Sequence, residues 1–316
     1  MLRVFDTNET RAGLEWPRLI DGLDAMFRSG CVMPLRHHHE VEVPNEDSGT
    51  LLLMPAWTPG KYIGVKMVNV IPGNSTRSLP AISGAYLLSS GETGALLAVL
   101  DGAELTARRT AAASALAARY LARPDARNLL VVGAGKLALN VIEAHTAVRP
   151  LTSVTIWARR IEQAQKVAKA ARTLGYDAQA TDDLECATLQ ADIISCCTLS
   201  RAPLIKGAWV KPGTHIDLIG AFKPEMRETD SALIAMASVF ADTREGVLSE
   251  GGDIVQAIRE GAFGASDIKA DLFDLARGDH AGRRSEDEIT VFKSVGAALE
   301  DLAAAILTYE ATATTH

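Results

Sequence analysis

Three cations stand in apolar or turn surroundings on separate segments of the chain. Arg36 follows Met33-Pro-Leu, Lys66 lies inside the apolar run Ile63-Gly-Val-Lys-Met-Val, and Arg109 sits beside Arg108 at the start of an alanine-rich stretch. A lysine within such a strand is costly to bury without an anionic partner. Together the three side chains are suited to clamping a small carboxylate. Alone, each is more often a surface residue.

A second constellation follows at Asn128-Leu-Leu-Val-Val-Gly-Ala-Gly-Lys-Leu-Ala138. A short apolar run breaks at Gly133 and Gly135 and continues in a helical pattern, the strand–turn–helix opening of a dinucleotide-binding unit. Gly133 permits the tight turn, Gly135 lets the backbone approach a pyrophosphate, and Ala138 stands where a small residue packs helix on strand. The next strand, Ser153–Trp157, ends in Ala158-Arg159-Arg160 instead of the acidic residue that holds ribose hydroxyls. Two guanidinium groups there suit a 2′-phosphate, which favours NADP(H) with NAD(H) still open. The competing reading is a solvated helix start. Cys197 and Thr198 close a later strand, and they read as lining the cofactor crevice or the core, with a nucleophilic cysteine the lesser option. His37, His38 and His39 are consecutive, so in a strand they point to opposite faces, and no metal site is expected.

The elements that must position these groups fall into two blocks. Residues 1 to about 100 read as mixed, strand-rich structure, with Thr50–Met54, Tyr62–Val70 and Gly84–Leu88 separated by turns such as Gly91-Glu-Thr-Gly94. An alanine-rich helix covers Glu104 to Arg123. Strands at 129–132, 153–157, 192–195, 215–219 and 238–242 then alternate with helices, the first from Lys136 to about Ala147 and the next at about 161–174. That alternation is the sequence form of a doubly wound parallel sheet, a Rossmann domain. A last helix spans Gly296–Tyr309. The expected organisation is an α/β chain of 316 residues, with 1–112 and 293–316 forming an α+β domain around a dinucleotide-binding domain at 113–292.

Composition bounds the function. Apolar residues make up 47% and charged residues 22% of the chain, and the net charge is −7, which argues against a nucleic-acid partner. No apolar run approaches the roughly 18 residues that span a bilayer. Four cysteines, Cys31, Cys186, Cys196 and Cys197, fit neither a zinc site nor a disulfide scaffold. With no signal-peptide pattern in the first residues, a cytoplasmic protein with reduced thiols is expected.

The chain resembles the ornithine cyclodeaminase/mu-crystallin family. Leu105-Thr-Ala-Arg-Arg-Thr-Ala-Ala-Ala-Ser-Ala115 carries the resemblance most specifically, entered from Asp101-Gly102 and leading to Gly133-Ala-Gly135. Gly64-Val-Lys66, Ser285-Glu-Asp-Glu-Ile-Thr-Val-Phe-Lys-Ser-Val-Gly296 and Glu300-Asp301 also match. The resemblance implies a homodimer, 1–112 with 293–316 as the substrate-binding and dimerisation domain, a C-terminal helix that returns to it, and Arg36, Lys66 and Arg109 as carboxylate binders. It places Thr110, the turn of Gly133, Ala134, Gly135, Lys136, Leu137 and Ala138, and Ser294 at the cofactor.

One departure directs the functional expectation. The cyclodeaminases resembled here carry a catalytic aspartate where this chain has Phe222, in Leu218-Ile-Gly-Ala-Phe-Lys-Pro-Glu-Met-Arg-Glu228, and a glutamate where it has Leu52. A phenyl ring neither accepts a proton nor pairs with an ammonium group. The segment looks like that of the family's Δ1-pyrroline-2-carboxylate reductases, whose substrate is a cyclic imine with one carboxylate. The resemblance therefore implies NAD(P)H-dependent reduction of Δ1-pyrroline-2-carboxylate or Δ1-piperideine-2-carboxylate to L-proline or L-pipecolate. Lys66 or a bound water would supply a proton where needed, and Phe222 would form an apolar wall beside the ring. Ornithine cyclodeamination, an open-chain amino-acid dehydrogenase and a non-catalytic NADP(H)-binding role are the alternatives.

Overall fold

The computed structural model describes residues 2–311. The chain divides into two compact units, Met1–Arg109 with Ala298–His316, and Thr110–Ala297.

The first unit is a six-stranded mixed sheet. Its strands are β1 (Arg3–Phe5), β2 (His37–Val41), β3 (Gly49–Thr58), β4 (Tyr62–Val70), β5 (Ile82–Ser90) and β6 (Leu96–Asp101), in the order β1-β6-β5-β4-β3-β2. Only β1 and β6 run parallel. Strand alternation sorts the side chains: Met54, Ala56, Lys66, Tyr86, Leu88, Ala98 and Leu100 are buried, whereas Ile63 and Met67 on the other face of β4 are exposed. Helices α1 (Thr7–Ala12), α2 (Trp16–Ser29) and α3 (Gly102–Leu121) complete the N-terminal segment. The strand-rich reading overlooked α2, although Leu19, Ile20, Leu23 and Phe27 recur at helical spacing and Pro17 stands at its start.

The second unit is an eight-stranded, wholly parallel sheet. Its strands are β7 (Asn128–Val132), β8 (Ser153–Trp157), β9 (Ala178–Thr181), β10 (Ile193–Cys196), β11 (His215–Leu218), β12 (Ser238–Ala241), β13 (Ala270–Asp271) and β14 (Thr290–Lys293), in the order β13-β12-β14-β11-β10-β7-β8-β9. Helices α4 (Ala138–Thr146), α5 (Ile161–Thr173), α6 (Leu184–Gln190), α7 (Ser231–Met236), α8 (Arg244–Glu250), α9 (Gly252–Arg259) and α10 (Leu272–Arg277) join them. This is the doubly wound α/β architecture expected from the alternation. The last helix, α11 (Ala298–Ala311), belongs to the first unit, where it packs against α2, β3, β4 and β5.

Two local readings are corrected. Helix α4 begins at Ala138, not Lys136, because residues 135–137 form a turn in which Ala138 N donates to Gly135 O at 3.2 Å. Strand β14 was not anticipated, yet it lies between β11 and β12 in the middle of the sheet. Its four residues end in a lysine, which disguises a fully buried strand. Lys293 Nζ pairs with Asp253 at 2.9 Å, both side chains fully buried.

The core of this unit also holds a polar knot. Asp217 on β11 accepts from Ser114 Oγ and faces His145 Nε2 at 3.1 Å. His145 Nδ1 is 2.9 Å from Val141 O, and His215 Nδ1 is 3.0 Å from Thr290 Oγ1. All of these side chains are buried, so the knot braces α3, α4, β11 and β14 and offers substrate no access. Burial lowers the His215 pKa to about 3, against the opposing pull of Asp217. Its folded pKa lies below the ordinary 6.5, so protonation favours the unfolded chain as pH falls from 6.5 towards about 3. Going from about pH 7.5 to about pH 5.5, His215 alone should cost about 1.4 kcal/mol of stability. Urea unfolding at both pH values should show a smaller acid loss for His215→Gln than for the parent. An unchanged acid loss would dismiss His215 as the group responsible.

Candidate active site

The cations of the first unit are gathered by the last helix. Lys66 sits on the inward face of β4, opposite Met54 of β3 and Tyr86 of β5. Arg109 is carried by α3. The first turn of α11 places Glu300 and Asp301 between them. Lys66 Nζ is 2.6 Å from Asp301 Oδ2, Arg109 Nε is 2.9 Å from Asp301 Oδ1, and Arg109 Nη1 is 2.7 Å from Glu300 Oε2. Both carboxylates are fully buried, and Lys66 and Arg109 are nearly so. The carboxylates also suit the positive end of the helix dipole.

Electrostatics differ between the two cations. Burial lowers the Lys66 pKa to about 8; Asp301 opposes the shift, and Arg109 and Arg36 add to it. Arg36, half-buried, thus acts on the same cluster. Burial also works against the Arg109 charge, but Asp301 and Glu300 more than offset it, and its pKa rises. Arg108 turns elsewhere: its Nε and Nη2 donate to Leu14 O at 2.9 and 2.7 Å, and its guanidinium lies 4.0 Å from the Trp16 ring centroid. Tyr86 was not anticipated. Its hydroxyl is fully buried, has no hydrogen-bond partner among the described residues, and lies where a side chain at Gly64 would collide with it. His37 and His39 share a face of β2, with ring centroids 6.3 Å apart. Among the described residues no three potential metal ligands cluster, there or elsewhere.

The second unit carries the glycine turn after β7. Gly133 has φ +124°, and a Cβ there would lie 3.0 Å from Cys197 O and Sγ and 3.2 Å from Thr198 Cγ2. The fold therefore requires glycine at 133. At Gly135 a Cβ would meet no protein atom within 4 Å. No atom of the described residues fills that space, which fits the close approach of a pyrophosphate. Leu137 caps α4 without any side-chain hydrogen bond. Ala134 and Leu137 are half-buried, Lys136 is exposed and Ala138 is buried.

Val132 is aligned with Trp157, and Gly133 N donates to Trp157 O at 2.9 Å. Ala158, Arg159 and Arg160 thus follow directly beside the turn. Both arginines are exposed, and no other described residue pairs with either guanidinium. Cys197 N donates to Val132 O at 2.9 Å. Burial pushes the Cys196 and Cys197 thiols well up, which leaves both unsuited to nucleophilic attack. Thr110, on α3, is buried. The Ser294 hydroxyl, also buried, donates to Asp242 Oδ2 at 2.9 Å, which further accepts from Val295 N and Gly296 N. Phe222 stands in the loop after β11, its side chain exposed.

A protein-family model described as the ornithine cyclodeaminase/mu-crystallin family matches residues 9–316. The Δ1-pyrroline-2-carboxylate reductase of Paracoccus denitrificans is 43% identical over 290 residues, 92% of this chain and 90% of the relative. The structure of Thermococcus litoralis Δ1-pyrroline-2-carboxylate reductase in complex with NADH and L-proline aligns with a TM-score of 0.91 at 33% identity, covering 99% of this chain and 98% of that one. An archaeal alanine dehydrogenase dimer with bound NAD aligns with a TM-score of 0.90 at 32% identity, over 99% and 96% of the two chains. With nearly its whole length matched, the chain belongs to the ornithine cyclodeaminase/mu-crystallin family.

Proposed function

We propose that this protein reduces a cyclic imine bearing one carboxylate, Δ1-pyrroline-2-carboxylate or Δ1-piperideine-2-carboxylate, to L-proline or L-pipecolate at the expense of NAD(P)H. The observation that carries the reading is the exposed phenyl ring of Phe222 in the loop after β11, where the resemblance to the cyclodeaminases implies an aspartate. The cations for one carboxylate are meanwhile kept and fixed by Asp301 and Glu300. The relatives named for this reaction and the bound NADH and L-proline of one of them support it.

In this reading Arg36, Lys66 and Arg109 bind the substrate carboxylate. Asp301 holds Lys66 and Arg109 in one orientation, so little motion is required on binding. The reduced nicotinamide, when bound, supplies the hydride for the imine carbon. Lys66, with its pKa lowered to about 8, releases a proton more readily than an ordinary lysine and serves an imine that arrives unprotonated. Phe222 presents an apolar wall to the ring. Thr110, Cys197, Thr198 and Ser294 are assigned to the cofactor, and Met1–Arg109 with α11 to substrate and dimer contacts.

Steady-state consumption of NADPH and NADH should be seen with either cyclic imine, and no ammonia should be released from ornithine. Ammonia release without imine reduction would replace the proposed reaction by cyclodeamination. Arg109→Ala should weaken transition-state stabilisation by about 2–5 kcal/mol, and Arg109→Lys should recover part of it, because a point charge does not reproduce a fork.

For the cofactor, the unpaired Arg159 and Arg160 favour a 2′-phosphate and hence NADP(H). Fluorescence titration should show Arg159→Ala weakening NADPH more than NADH. Equal losses for both would remove the arginine from the 2′-phosphate.

For assembly, Val4, Ile63, Met67 and their neighbours Leu53, Val65 and Leu87 form one apolar face across the sheet of the first unit, with Val4 68% and Met67 36% exposed. A second copy of the chain is the proposed occupant, in keeping with the dimeric alanine dehydrogenase. All four cysteines are free, which suits a cytoplasmic setting. Sedimentation should give a dimer for the parent and a folded monomer for Met67→Glu. A dimer undisturbed by that charge would place the interface elsewhere.

A further inference from the structure

Two loops leave the carboxyl ends of the neighbouring strands β10 and β11, and one buried carboxylate joins them. Glu228 is fully buried. Its Oε1 accepts from Thr198 N at 2.6 Å and from Thr198 Oγ1 at 2.8 Å. Its Oε2 accepts from Gly220 N at 2.9 Å and Ala221 N at 3.1 Å. Four donors converge on one group. An ionised carboxylate only accepts, so it satisfies all four, whereas a carboxylic acid or an amide turns a donor against them. The loops approach as closely as backbones allow: a Cβ at Gly220 would collide with the Thr198 main chain.

The segment bearing Glu228 is itself anchored. Glu228 N and Thr229 N donate to Asp253 Oδ1 at 2.6 and 3.1 Å, and Lys293 Nζ holds Asp253 Oδ2 at 2.9 Å. None of these three side chains has a part in the binding or chemistry proposed above. The loops they fix do. Cys197 and Thr198 border the Gly133 turn, and Phe222 directly follows Ala221. In a doubly wound sheet the ligand lies outside these carboxyl ends.

We infer that Glu228 is a positioning residue: by bridging Thr198 to Gly220 and Ala221, its carboxylate sets the shape of the cofactor crevice in this unit. The inference rests on the nucleotide-binding reading above. The bridge needs its charge, and the charge is held near its limit. Burial pushes the Glu228 pKa up to about 7; Lys293 opposes that shift and Asp253 adds to it. The Cys196 and Cys197 thiols also face it, and burial holds both neutral. The group therefore takes up a proton as pH falls through about 7, and the oxygen that carries it turns a donor against the donors it had accepted from. Cofactor affinity is full well above that pH and falls below it.

Direct NADH binding to the whole protein, followed by fluorescence at about pH 8 and about pH 6, reads this without substrate. NADH has no group that titrates in that window. The parent should bind several-fold more weakly at the lower pH, at most about tenfold per pH unit. Glu228→Gln should bind about tenfold more weakly than the parent at the higher pH and show no pH dependence between the two. Glu228→Asp keeps the charge on a shorter arm, so it should bind weakly yet retain the pH dependence. Thermal unfolding of each variant identifies one that fails to fold, and the parent's own pH response then decides. A parent affinity flat from pH 8 to pH 6, or a folded Glu228→Gln with parental affinity and slope, overturns the role of Glu228 alone. A parent that binds neither NADH nor NADPH overturns the nucleotide reading as well.

Discussion

Asp301 is shared by two buried cations, and the first unit is organised around that fact. A lysine and an arginine taken out of water need an anion within reach, and removing a buried partner strands a charge at a cost of about 3–5 kcal/mol. The anion comes from the other end of the chain: Lys66 lies on β4 and Asp301 on α11. The final helix is thus tied to the first sheet by a charge requirement as well as by its apolar packing on α2, β3, β4 and β5. Asp301 and Glu300 keep Arg109 ionised, whereas burial and the neighbouring arginines leave Lys66 easier to deprotonate against the pull of Asp301, so one cluster holds two kinds of cation.

The second unit solves a related problem at the carboxyl ends of its strands. Loops there must hold a fixed shape without an apolar core of their own. Carboxylates supply that order by collecting backbone N–H groups: Glu228 for the loops after β10 and β11, Asp253 for the segment that carries Glu228, and Asp242 for the residues after β14. The donors at Gly220, Ala221, Glu228, Thr229 and Gly296 would otherwise be buried unsatisfied.

What the sequence reveals follows from what its patterns encode. The Gly133 turn and the alternation from β7 to β12 are local features, readable from residue type and spacing, whereas Phe222 gains meaning only against the family the chain resembles. Lys66 announces a buried anionic partner by its apolar neighbours, but the identity of that partner depends on a contact 235 residues away, with Asp301. Tyr86 gives no local signal, because a tyrosine in a strand is unremarkable until its hydroxyl is seen above Gly64. Strand β14 is hidden by Lys293, a residue type that argues against a central strand until Asp253 is placed beside it. Glu228 reads as one more charge in a polar loop until four donors converge on it.

The two glycines of the nucleotide turn answer to different demands. At position 133 the backbone itself requires glycine, since φ is +124° and Cys197 and Thr198 crowd the missing side chain. At position 135 the surrounding protein makes no demand within 4 Å. Selection for folding alone therefore preserves the first and is indifferent to the second. In a descendant that kept only its architecture, position 135 would be free to drift while 133 stayed fixed. Under the proposed function the pair thus works as an internal record, one glycine reporting the persistence of the fold and the other the persistence of the ligand.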